Sequence, residues 1–328
     1  VAPVTGEIAA LLGDPLMRRA LAAAVLVGLA APVIGTYLVQ RRLSLLGDGI
    51  GHVALTGVAV GWLVGAGAGL VPQDVLAVPG AVVAAVLGAV AIELVRERGA
   101  TSGDVALALL FYGGIAGGVL IISTAGGTSA KLLGYLFGSI STVTTGDLWL
   151  TVLLAGLVLA VGLGLRTALF AVSYDEEFAR ASGLPVRALN IATAVIAALT
   201  VTVAMRVVGL LLVSALMILP VAVAQLVTGS FRRTMGTAMG IGVAVSVVGL
   251  SITYWQNVPP GATIVLLAIG SYAVVAATRS VVGVARAGRD SRSDPHPETG
   301  DDVELAPDPL HDGHVRPRGP VDASGAGT

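Results

Sequence analysis

The chain of 328 residues contains no cysteine. That excludes a disulfide framework, a thiolate metal site and a thiol nucleophile. Its single lysine, Lys131, sits in Ala-Lys-Leu, so the chain holds no GxxxxGK[ST] phosphate loop, and any linked ATP hydrolysis belongs to another subunit. Charge is scarce: 12% of residues are Asp, Glu, Lys or Arg, against about 25% in an ordinary soluble domain. Aromatic residues make up only 4%, and the net charge of −1 gives no basic surface for nucleic acid.

What is present is apolar. With 55% hydrophobic residues, 44 glycines and a mean hydropathy of +0.90, the sequence reads as an all-α, polytopic membrane helix bundle. The first apolar segment, about 20–39, follows Met17-Arg18-Arg19. It resembles a signal peptide in its basic start but is long enough to span, and we read it as a helix. Eight more candidates lie near 43–67, 75–95, 104–124, 148–170, 188–205, 207–227, 234–253 and 262–281, giving about nine spans within a range of eight to ten. Only Arg206 marks a turn inside 188–227, leaving a long hairpin or a broken helix open there.

Orientation follows from the basic residues. Placing Arg41 and Arg42 in the cytoplasm puts 15 of the 19 arginines and lysines inside and leaves Arg18, Arg19, Lys131 and Arg206 outside, which implies an outer N-terminus and an inner C-terminus. Residues 1–283 form the transmembrane domain. The segment 284–328, rich in Asp, Pro, Gly and Arg, cannot bury a core and is expected to be a disordered cytoplasmic tail; His296, His311 and His314 fall in it as solvated linker residues.

The stretch Arg41–Gly61, RRLSLLGDGIGHVALTGVAVG, carries polar residues at helical spacing. Ser44, Asp48, His52 and Thr56 are four apart and would form one stripe on an apolar rod. An ionised Asp inside a membrane costs about 2.5–3.5 kcal/mol on insertion scales and normally faces a bundle interior, a water-filled path or an ion. Asp48 and His52 offer one carboxylate and one imidazole, a donor set suited to Zn²⁺ or Mn²⁺, with Ser44 and Thr56 as pathway-lining candidates. The alternative is an Asp–His ion pair that staples helices. A catalytic reading lacks a nucleophile. Small residues at four-residue spacing, Gly47/Gly51, Gly57/Gly61/Gly65/Gly69, Gly113/Gly117 and Gly114/Gly118, point to close helix packing, while Gly49 and Gly51 leave room beside the stripe for an ion or a partner helix.

A second polar segment runs from Ser173 to Pro185. Ser173 with Glu176 reads as a capping box opening a short helix with acidic residues first, Arg180 last and a stop at Gly183. It is either a connector lying along the membrane or a docking helix for a cytosolic subunit.

These residues bear a family resemblance. RRLSLLGDGIGHVALTGVAVG, LLGYLFGSI at 132–140, YDEEFARASGLPV at 174–186 and VVGLLLVSALMILPVAVAQLVTGSFRR at 207–233 occur in the order seen in permeases of zinc- and manganese-type ABC importers. The resemblance covers roughly residues 7–280. It implies a multi-pass protein of the bacterial inner membrane, not itself an enzyme and holding no permanent cofactor, that moves zinc first and manganese second. It also implies a second permease copy, two cytosolic ATP-binding subunits and an extracytoplasmic metal-binding protein. Asp48 and His52 fall on the family's metal-path positions. Ser173, Asp175, Glu176, Glu177, Phe178, Arg180 and Gly183 fall on its ATPase-coupling helix. Gly49 and Gly51 stand where many relatives carry Ala and Ser. Two rivals remain, a siderophore- or cobalamin-type ABC permease, whose path should be wide and uncharged, and a proton-coupled secondary metal transporter, in which Asp48 and His52 would relay protons.

Overall fold

The structure is a computed structural model. It describes residues 10–71, 75–98, 103–124, 134, 136, 138, 145–207, 209–256 and 258–293. The helices in chain order are α1 (Pro15–Gln40), α2 (Leu46–Gly67), α3 (Ala77–Glu97), α4 (Gly103–Thr124), α5 (Thr145–Gly164), α6 (Arg166–Tyr174), α7 (Glu176–Ala181), α8 (Val186–Val207), α9 (Leu210–Val227), α10 (Phe231–Trp255) and α11 (Pro260–Ser293). The chain divides into two units, residues 1–280 and 281–328.

Among the described residues eight helices are long and apolar enough to cross a membrane, and α9 is the shorter ninth. Its 18 residues reach about 27 Å at ~1.5 Å per residue, close to the ~30 Å hydrocarbon thickness. Counting α9 as a crossing keeps Arg232 and Arg233 on the side of Arg41 and Arg42. The break expected near Arg206 falls at Gly209, whose φ of +90° lets the chain turn between α8 and α9.

Two helix boundaries differ from the sequence reading. The span expected over 148–170 ends at Gly164, and Arg166 opens the separate helix α6. The span expected from residue 43 starts only at Leu46, because α1 closes in a Schellman turn: Arg42 N–H donates to Val39 O at 3.1 Å and Leu43 N–H to Leu38 O at 2.8 Å. Arg42 occupies the left-handed position of that motif with φ +58°, where glycine is the usual residue. At the other end of the chain, α11 runs to Ser293. The block 132–140 and the tail beyond 293 lie largely or wholly outside the described residues.

The core lies around α1, α2, α8 and α9, with Ile34, Tyr37, Ile50, Met205 and Leu216 fully enclosed. Tyr37 donates its hydroxyl hydrogen to Gly162 O at 2.5 Å, tying α1 to α5. Small residues set the close approaches. A Cβ on Gly242 of α10 would lie 2.8 Å from Pro32 Cγ, and one on Gly114 of α4 would lie 2.6 Å from the His52 carbonyl carbon. α2 is thereby clamped between α3 and α4, with α9 beside its first turns.

Candidate functional site

α2 presents Asp48, His52 and Thr56 on one face, one helical turn apart. Ser44 is not on that face, since it lies in the turn before Leu46, so the stripe has three helical members and a preceding loop hydroxyl. The space beside Gly51 is taken by a helix: a Cβ there would lie 2.5 Å from Leu210 Cδ1 of α9. Gly49 faces α4, where a Cβ would lie 3.7 Å from Leu107 O.

Asp48 Oδ1 accepts a hydrogen bond from Ser214 Oγ of α9 at 3.2 Å. Asp48 and His52 are not among the ion pairs of the described residues, which are Arg41–Glu93, Arg96–Glu93, Arg180–Glu176 and Arg187–Glu97. The stapling alternative therefore loses its contact. His52 is buried, and the Phe111 ring of α4 stands edge-on to it at 4.5 Å. Its Nδ1 is closed off from solvent without a hydrogen-bond partner. A buried ring nitrogen normally finds a partner, so an unpaired one four residues from a carboxylate suits a transient ligand. Thr56 Oγ1 donates to Gly114 O at 2.7 Å and so also fastens α2 to α4. No group of three or more His, Cys, Asp or Glu that could hold a metal occurs among the described residues.

The 174–185 segment forms its short helix under a different cap from the one expected. Asp175, not Ser173, caps α7: Phe178 N–H donates to Asp175 Oδ1 at 2.9 Å. Ser173 instead belongs to α6 and is buried. A carboxylate at the N-cap accepts strongly from the free amides of the first turn, and a Ser two positions earlier cannot reach them once α6 carries it. Glu176 and Arg180 pair across one turn at 3.0 Å. Gly183 has φ +79° and ends α7 in a Schellman turn, with Leu184 N–H donating to Ala179 O at 3.1 Å. Phe178 is 66% exposed and Tyr174 72% exposed, leaving two aromatic rings open beside the acidic first turn that includes Glu177.

The model of the ABC 3 transport family matches residues 13–279. The chain belongs to that family. It is 31% identical over 264 residues, 80% of its length and 87% of the relative's, to the manganese transport system membrane protein MntC of Halalkalibacterium halodurans. It is also 31% identical over 250 residues, 76% of the chain and 86% of the relative, to the manganese import system permease protein ScaB of Streptococcus parasanguinis. Among solved structures, PsaBC from Streptococcus pneumoniae in complex with Fab superposes with a TM-score of 0.73 at 30% identity, covering 83% of this chain and 95% of that one. As an ABC 3 family member the chain is a multi-pass permease subunit of an ABC transport system, a transport component and not an enzyme.

Sequence reasoning singles out Asp48, His52 and the short helix but not Ser214, Phe111, Glu93 or Glu97. Ser214 is one hydroxyl in an apolar helix 166 positions from its partner, and nothing local announces it. Glu93 is visible as an acid inside the apolar span expected over 75–95, but nothing in the local sequence points to its partner Arg41.

Proposed function

We propose that this chain is the membrane permease subunit of an importer for a divalent transition metal, manganese ahead of zinc. The observation that carries the reading is the pair on α2: a buried His52 nitrogen without a partner, beside a carboxylate held by Ser214. Manganese moves ahead of zinc because the relatives bear manganese names and because the group added by the fold is a hydroxyl, a hard oxygen donor congenial to Mn²⁺. A substrate in passage needs ligands that release it, so two protein ligands supplemented by water or by a second copy of the chain suit transport better than a closed site.

The remaining parts follow the same reading. An extracytoplasmic metal-binding protein delivers the ion, and two cytosolic ATP-binding subunits engage α7, where exposed Phe178 and Tyr174 offer an apolar foothold. ATP binding there switches access to the path. The charged stripe favours a bare ion over an organic chelate. The exposed, capped α7 favours an ATPase-driven device over a proton-coupled one.

The test is accumulation of manganese, zinc and iron in cells lacking the chain, with complementation by wild type and by Asp48→Ala. Selective loss of manganese or zinc, restored by wild type alone, supports the assignment. Normal accumulation in the Asp48→Ala strain, with the protein present at wild-type level, would sink it, and loss of all three metals together would favour the chelate rival.

A further inference from the structure

Glu93 and Glu97 stand four residues apart at the end of α3 and so share one face. Their partners belong to different parts of the molecule. Glu93 Oε1 lies 3.7 Å from Arg41 Nη2, and its Oε2 lies 2.9 Å from Arg96 Nη1. The Glu93 and Arg41 side chains are only 6% and 7% exposed. Arg41 caps α1 and opens the corner, residues 41–45, from which α2 and its polar stripe begin. Glu97 Oε2 lies 3.1 Å from Arg187 Nε, in the first turn of α8 just beyond the Gly183 stop of α7. Glu97, Glu176, Arg180 and Arg187 line one open groove, which the end of α3 and the face of α7 flank together.

The corner depends on these contacts. α2 starts at Leu46 with no side-chain cap on its N-terminus, and the preceding Arg42 is held left-handed. Burial pushes the Arg41 guanidinium below its usual value, and the neighbouring Glu93 carboxylate raises it again. A buried ion pair adds little to stability compared with apolar packing but fixes geometry, because each charge is costly to leave unpaired.

We propose that the cytoplasmic end of α3 links α7 to the metal path, with Glu97 tying it to the segment after α7 and Glu93 tying it to the corner that carries α2. Glu93 and Glu97 are positioning residues in this scheme, and the proposal rests on the reading of α7 as the ATPase-coupling helix. Displacing α7 pulls on Arg187, moves the end of α3, and shifts Arg41 and the start of α2 with it.

The experiment measures manganese ions moved per ATP hydrolysed by the assembled transporter in proteoliposomes, comparing wild type with Glu93→Gln, Glu97→Gln and the exchange Glu97→Arg with Arg187→Glu. We expect at least a threefold fall in that ratio for Glu97→Gln with the ATPase rate within twofold of wild type, and recovery in the exchanged pair. A purely structural role would lower both rates together and leave the ratio unchanged, which would overturn the link, as would failure of the exchange to restore it. Should Glu93→Gln fail to assemble, the outer pair decides alone, since Glu97 and Arg187 are 35% and 67% exposed and tolerate substitution. A wild-type transporter that moves neither manganese nor zinc overturns the transport reading and this link with it. A wild type that moves metal beside variants with an unchanged ratio overturns the link alone.

Discussion

Ser214 holds Asp48 by a single hydrogen bond from another helix. Hydrogen bonds to charged groups contribute about 1.5–3 kcal/mol, so Ser214→Ala should raise the manganese concentration for half-maximal uptake roughly tenfold or more, while Ser214→Thr keeps most of the affinity. Uptake titrations on cells with matched protein levels check this. Arg42 gives a prediction of opposite sign. Its left-handed φ costs a non-glycine residue about 1 kcal/mol, so Arg42→Gly should raise the thermal midpoint of the detergent-solubilised protein by a few degrees. An unchanged or lower midpoint would mean that the Arg42 side chain makes a compensating contact. Asp48 and His52 were conspicuous in the sequence because two ionisable residues inside an apolar run stand out at any spacing. Ser214 was not, because pairing across 166 positions is a property of helix packing.

At the scale of the element, α2 owes its place to neighbours that lack side chains. Gly114 meets the His52 backbone, and Thr56 reaches the Gly114 carbonyl. Gly114→Val should therefore force α2 and α4 apart and cost several kcal/mol, seen as loss of folded protein in size-exclusion chromatography; Gly113→Val, where a Cβ meets nothing within 4 Å, should leave the profile unchanged. The four-residue glycine spacing announced this packing without saying which glycine faces which helix, since Gly113 and Gly114 begin equally good patterns. The short helix was legible for a similar reason, through its acidic start and Gly183, but its cap was assigned to Ser173 because a capping box is a local pattern. The extension of α6 through Tyr174, set by packing of Leu169 and Val172, moved the cap to Asp175. Asp175→Ala should cost about 1 kcal/mol of local helix stability and lower metal-stimulated ATPase activity in the assembled transporter more than basal activity.

At the scale of the whole molecule, the arginine distribution predicts the orientation and the helix order now gives it concrete landmarks. On that orientation α7 should lie on the inner side and the α10–α11 connection on the outer side. With no native cysteine to remove, single-cysteine variants test this directly. An impermeant maleimide added to intact cells should label Gln256→Cys and spare Ser182→Cys until the cells are lysed. The reverse pattern would invert the topology. The number of crossings was legible to within one because apolar length is a strong signal. Its residual ambiguity sat at α9, where 18 residues with Pro220 inside them lie at the edge of what spans a bilayer.

The caps of α7 have a mechanical consequence. A six-residue helix is too short to persist on intrinsic preference alone, yet this one is closed at its front by Asp175 and at its back by the turn at Gly183. On the coupling reading proposed for α7, it should keep its shape when its surroundings shift, as a stiff peg that transmits a push without softening. In deuterium exchange, the Phe178 and Leu184 amides should remain slow while the transporter cycles, with the changes in exchange falling at the hinges on either side, at the Tyr174–Asp175 junction and around Pro185.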